Sequence, residues 1–170
     1  MNIFCTGNPA RKTIAYALGA APNCTNNLSA SISSGWDFTL PATITKFRKY
    51  IQQYNVFVNS AYIAPGIQKT LMNECQAEWT RADIRGHIIN VGTTLENTNC
   101  NSQYAQSKRS LKYRSLQLND ETGISGVKTT YILLGGLGPE CCDCKDVGRT
   151  ILWIVEQSFR IPLMQVESVK

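Results

Sequence analysis

Short apolar runs alternate with stretches of helical periodicity along most of the chain. Residues 2–5 (Asn-Ile-Phe-Cys) run apolar up to Thr6-Gly7 and predict a buried first strand. Over 11–18 the pattern changes: Ile14, Ala15, Ala17 and Leu18 recur at helical spacing, and Gly19 closes the segment. Residues 20–35 are rich in Asn, Ser and Gly and predict a loop, or at most one irregular strand. Residues 36–39 predict a short strand. Pro41 then sits in the first turn of an amphipathic helix reaching Gln53, with Ile44, Phe47 and Ile51 on one face.

The alternation continues to the end of the chain. Strands are predicted over 55–61, 87–92, 127–133 and 162–167, and helices over 68–80, 102–118 and 145–157. The helix over 68–80 carries Leu71, Met72, Cys75 and Trp79. No internal repeat or linker interrupts the series, so residues 1–170 read as one domain. Strands alternating with helices predict an α/β fold: a mostly parallel sheet, right-handed crossovers and helices on both faces. In such sheets ligands bind beyond the carboxyl ends of the strands.

Composition narrows the class. With 43% apolar and 17% charged residues in 170, the chain reads as globular. The net charge of +5 is spread out, and its densest groups (Lys46, Arg48, Lys49; Lys108, Arg109, Lys112, Arg114) fall on predicted helices. Solvated helix faces explain them, so no nucleic-acid partner is expected, while an anionic cofactor or substrate suits the charge. No hydrophobic leader with a cleavage site and no apolar run of membrane length is seen, which predicts a cytoplasmic protein with no membrane partner. The sequons at Asn23 and Asn27 then carry no sugar, and the seven cysteines read as reduced thiols. Cys141, Cys142 and Cys144 are spaced as half of a metal site. A second half is missing and His87 is the only histidine, so a cysteine-rich loop with no metal is expected.

Chemistry is sought at the strand ends. Thr6-Gly7 ends the first strand, Asn59-Ser60-Ala61-Tyr62 a central one, and Asn90-Val91-Gly92-Thr93 the next. Tyr104-Ala105-Gln106-Ser107-Lys108 opens the following helix, and Gly135-Gly136 follows the strand over 127–133. Alone, Tyr-x-x-x-Lys is weak evidence; the order of all these pieces is far more specific. The segment from Gly86 through Thr93 to Lys108 and Leu111 resembles the active-site segment of the short-chain dehydrogenase/reductases. Gly126 to Gly136 is similar to that family's strand and turn after the active-site helix. Trp36-Asp37-Phe38-Thr39 resembles its Asp-x-Thr segment, and Asn59-Ser60-Ala61-Tyr62 its Asn-Asn-Ala-Gly.

This resemblance implies a Rossmann-type three-layer sandwich that binds NAD or NADP and acts on a small-molecule carbonyl or alcohol. Tyr104 is implied as the general acid/base, Lys108 as the cation that lowers its pKa and holds the nicotinamide ribose, and Thr93, replacing the family's serine, as the group that orients the substrate oxygen. The cofactor is implied to lie on Thr6, Gly7, Asp37, Asn59, Ala61, Lys108 and Gly135, with Arg11 or Lys12 near its phosphates. Four residues apart, Tyr104 and Lys108 share a helix face. A tyrosine of pKa about 10 is only ~0.1% ionised at pH 7, and a shift of two units gives roughly 10%. Homo-oligomer formation is left open.

The departures are specific. The family's Thr-Gly-x-x-x-Gly-x-Gly turn keeps only its first glycine in Thr6-Gly7-Asn8-Pro9-Ala10-Arg11-Lys12-Thr13, so cofactor affinity is expected to suffer more than the fold. The same stretch falls short of a phosphate-binding P-loop, lacking its second glycine and carrying its lysine one residue early. A non-catalytic relative that keeps the fold as a nucleotide-binding or scaffold module is the alternative reading. The broken turn argues for it, and the retained Tyr104 and Lys108 argue against it.

Overall fold

The computed structural model describes residues 1–10, 13–98, 101–121, 126–135 and 143–167. Six strands form one sheet: β1 (Asn2–Thr6), β2 (Asn26–Ala30), β3 (Val56–Asn59), β4 (His87–Thr93), β5 (Lys128–Leu134) and β6 (Leu163–Val166). Their order is β2-β1-β3-β4-β5-β6, and every neighbouring pair is parallel. The helices between them are α1 (Ile14–Gly19), α2 (Pro41–Ile51), α3 (Ile67–Arg81), α4 (Gln103–Glu121) and α5 (Cys144–Glu156).

Successive side chains of a strand point to opposite faces, so a strand buried on both faces reads as a continuous apolar run. Phe4, Phe57, Ile88 and Tyr131 meet Phe47 of α2, Leu71 of α3 and Leu111 of α4 on one face. Ile3, Cys5, Val58, Ile89 and Ile132 meet Ile14 and Leu18 of α1 and Val147, Ile151 and Ile154 of α5 on the other. The three-layer α/β arrangement expected from the sequence is therefore the one observed, and its sheet is parallel throughout.

Two segments differ from expectation. Residues 26–30 form a regular strand along all of β1, from Asn2↔Asn26 to Thr6↔Ala30. Residues 36–39 form no strand. Trp36 and Phe38 instead drop their rings onto the sheet, with centroids 5.2 Å from Phe4 and 5.9 Å from Phe47 respectively. Between them Asp37 folds back: its Oδ1 accepts from Thr39 N at 3.0 Å and Thr39 Oγ1 at 2.6 Å, and its carbonyl accepts from Leu40 N at 3.1 Å. These turn bonds take the backbone groups that a ladder would need.

Strand order reverses at β1, which has β2 on one side and β3 on the other. The crevice beyond the carboxyl ends of β1 and β3 is the topological switch point. Thr6 ties its two walls together: its Oγ1 accepts from Ser60 N at 3.0 Å and Ala61 N at 3.1 Å. The Ser60 hydroxyl in turn donates to the Thr6 carbonyl. Gly7 turns the chain away at φ +140, its N–H bonded to Ala30 O at 2.9 Å. That conformation is open to glycine and strained for other residues.

Candidate active site

β4 and α4 together position the Thr93, Tyr104 and Lys108 cluster. Thr93 ends β4 and caps the 3-10 helix Thr94–Asn97, its hydroxyl accepting from Leu95 N at 3.4 Å. Ser102 caps α4 by accepting from Ala105 N at 3.2 Å. Ala105, Lys108, Leu111, Ser115 and Leu118 form the buried stripe of α4. That stripe carries an amine into the sheet, and Lys108 is 2% exposed.

Lys108 Nζ donates to Val91 O at 2.7 Å and lies 5.6 Å from the centroid of the Tyr104 ring. An ammonium has three N–H donors, so two remain for other partners. Burial lowers the Lys108 pKa from 10.5 to about 8, opposed by the carboxylate of Glu96. Tyr104 is half-buried, packed edge-on against Tyr62 with centroids 4.7 Å apart. Burial raises its pKa, the hydrogen bond with Thr93 pulls it down, and Tyr62 and Glu96 push it up. The sequence predicts a phenol lowered by Lys108, whereas here its pKa is raised. The ammonium lies over the ring and is bonded to the strand, so dehydration of the hydroxyl dominates.

The other predicted positions are spread along the same edge of the sheet. Gly7 and Ala61 line the switch point with the buried Thr6, and Gly135 follows β5, its carbonyl accepting from Thr94 Oγ1 at 3.3 Å. Asp37 is partly exposed and its second carboxylate oxygen is open. Asn59 is fully buried and its side chain is turned inward: Nδ2 donates to Gln68 O at 2.8 Å and Asn90 Oδ1 at 2.9 Å. Its amide therefore ties β3 to β4 and α3. Arg11, Cys141 and Cys142 lie outside the described residues, and among the described residues no cluster of metal-ligating side chains occurs.

A cavity of about 570 Å³ lies at the opposite, amino-terminal edge of β3, β4 and β5, lined by Arg85, His87, Lys128 and Arg160 among others. None of the residues of the Tyr104 cluster lines it. The Thr93, Tyr104 and Lys108 cluster lies instead at the carboxyl end of β4, on the edge of the sheet where ligands bind in such folds.

Solved structures share this arrangement along the full chain. An oxidoreductase (short chain dehydrogenase/reductase) from Brucella ovis matches with a TM-score of 0.73 at 15% identity, covering 98% of this chain and 100% of that one. The fold is that of the short-chain dehydrogenase/reductases. A metagenomic short-chain oxidoreductase in complex with NADP matches with a TM-score of 0.76 at 15% identity, over 97% of this chain and 96% of its own. Serine dehydrogenase from Escherichia coli gives 0.71 at 15% identity, over 99% and 98%. No family model and no curated protein match the sequence. Among the described residues, no helix is long and apolar enough to cross a membrane.

Within this short-chain dehydrogenase fold, sequence reasoning missed three residues. Glu96, 4% exposed, accepts from the Tyr131 hydroxyl and lies 3.0 Å from Lys112 Nζ. Tyr62 packs on Tyr104. The one available signal was Thr93-x-x-Glu96, the spacing of a helix capping box, which marks a chain turn and says nothing of a buried charge.

Proposed function

We propose that this chain is an NAD(P)-dependent oxidoreductase of the short-chain dehydrogenase type, acting on a carbonyl or alcohol through Tyr104, Lys108 and Thr93. One observation carries the reading: the Thr93 and Tyr104 hydroxyls, close enough to influence each other, and a buried ammonium with two donors unused by the described residues meet at the carboxyl edge of a parallel sheet. A structural lysine at this depth would have its donors satisfied by the protein.

The residues fit a nicotinamide dinucleotide better at one end than at the other. Lys108 offers two N–H donors to a ribose, and Asp37 offers an open carboxylate oxygen to an adenine amino group. At the pyrophosphate end Gly7 is the only glycine of the turn, and the Thr13 side chain already takes one of the orphan donors of α1, Tyr16 N, at 3.2 Å. Such a cofactor, when bound, exchanges hydride with the substrate carbon.

The chain's own residues handle the proton. The raised pKa keeps the proton on Tyr104 at neutral pH, ready for donation to a carbonyl oxygen. The Thr93 hydroxyl, beside Tyr104, orients the same oxygen. Lys108, with a pKa of about 8, is mostly an ammonium at pH 7 and stabilises the phenolate that donation leaves behind. Alcohol oxidation runs the same transfers in reverse.

Titration with NADH and NADPH, followed by turnover on a carbonyl panel, tests the reading. Tyr104→Phe keeps the ring and removes the proton, so turnover is abolished while cofactor binding stays near parental. Lys108→Ala weakens both. Parental carbonyl reduction by Tyr104→Phe would exclude the mechanism. A parent chain that binds neither cofactor would leave a scaffold relative.

A further inference from the structure

Lys108 sits among neutral and cationic groups, its ammonium hydrogen-bonded to the Val91 carbonyl at 2.7 Å. On α4 it neighbours Tyr104, Arg109 and Lys112; β4 presents Thr93 and the Val91 carbonyl, β5 presents Tyr131, and the segment after β3 presents Tyr62. Among these described groups the only carboxylate is Glu96, in the 3-10 helix after β4. It is buried in its own right, and a buried carboxylate persists only where hydrogen bonds and opposite charge replace its water. Here the Tyr131 hydroxyl donates to Oε2, Lys112 Nζ lies 3.0 Å from Oε1, and Arg109 Nη1 donates to the Glu96 carbonyl at 3.1 Å.

Tyr131 makes the link. It is fully buried on β5, and its hydroxyl also lies 3.3 Å from the Lys108 carbonyl. The hydroxyl reaches both because residue 92 has no side chain: a Cβ there would overlap the Tyr131 ring and oxygen. Gly92, Tyr131 and Glu96 thus bring one carboxylate beneath the Thr93–Lys108 edge, and Lys112, on the solvent side, forms an ion pair with it.

We propose that Glu96, seated by Tyr131, is the buried counter-charge that keeps Lys108 protonated, and so acts as a positioning residue for the active-site ammonium. Its effect on turnover rests on the oxidoreductase reading, whereas the charge pairing is a property of the free protein. The opposing influences already visible at Lys108 agree, since burial drives its proton off and Glu96 holds it on. Lys112 completes the logic by partly neutralising the same carboxylate.

The test is the titration of Lys108 Nζ by nitrogen NMR on lysine-labelled free protein, its signal assigned by its loss in Lys108→Met. Glu96→Gln should lower the Lys108 pKa by about one unit, a tenfold loss of proton affinity. Glu96→Asp, which keeps the charge, should leave it close to parental, a rescue that a packing role alone would not produce. Lys112→Met, at a partly exposed site, should move it upward, and decides the question if Glu96→Gln does not fold. Where turnover is measurable, the basic limb of kcat/KM should shift in the same sense. An unchanged Lys108 titration in Glu96→Gln, or in Lys112→Met, overturns the proposal. Failure to bind NAD(P)H would sink the oxidoreductase reading and leave this measurement standing.

Discussion

The Tyr131 hydroxyl occupies the space that a Cβ on residue 92 would need. β4 and β5 pair in register there, with Asn90 opposite Tyr131 and Gly92 opposite Leu133, so the ring crosses toward Gly92 along the face of the sheet. Gly92→Ala should therefore destabilise the protein by about 1–3 kcal/mol through overpacking. In a Tyr131→Ala background the same substitution should cost far less, since the clashing ring is gone. Chemical unfolding of the four proteins in a double-mutant cycle measures the coupling, and additive effects would contradict the contact.

Asp37 is expected to hold the adenine end of the cofactor. Its carboxyl lies below the ordinary carboxylate range, chiefly because the Thr39 hydroxyl donates to it, so it is a charged acceptor at neutral pH. Asp37→Ala should weaken NADH and NADPH alike by about tenfold. The parent itself, with one glycine in its first turn, should bind no tighter than about 10 micromolar. Fluorescence titration of both cofactors checks the pair of values, and unchanged binding by the variant would remove the placement.

His87 should shape acid stability. The Thr130 hydroxyl donates to Ile161 O at 2.6 Å, so the proton between His87 Nε2 and Thr130 Oγ1, 2.8 Å apart, belongs to the imidazole. Burial first, and Lys128 second, lower the His87 pKa from 6.5 to about 4. Between those values the unfolded chain binds a proton that the folded chain refuses. Stability is thus full above 6.5 and falls as pH drops toward 4, by up to about 3 kcal/mol. His87→Gln should flatten this limb. Urea unfolding across the window reads it directly, and because the chain has a single histidine, an equally steep fall in the variant would refute the assignment.

Much of the site was legible from local pattern. Tyr104 and Lys108 lie one helical turn apart, so their shared face follows from the sequence once α4 is recognised. Buried parallel strands such as β3 and β4 announce themselves because both faces must be apolar. Residues 26–30 give no such sign: Asn-Asn-Leu-Ser-Ala is only partly buried, and the strand exists because β1 offers it a full edge of backbone partners. Residues 36–39 fail as a strand for a related reason, since the partner edge beside β1 is already taken by β2 and β3.

By itself, then, the sequence determined the layers and the parallel sheet, which depend on periodicity, and its resemblance to the short-chain dehydrogenase motifs singled out Thr93, Tyr104 and Lys108 as candidates. The tertiary structure alone decided the electrostatics. Tyr131 lies 35 residues from Glu96 in the chain, and only the β4–β5 register and the packing of α4 bring its hydroxyl past Gly92 to a buried carboxylate. Likewise Asn59 could be read as a ligand until the fold turned its amide onto Asn90 and Gln68. A charge or amide acquires its role from what replaces its water, and that depends on residues distant in the chain.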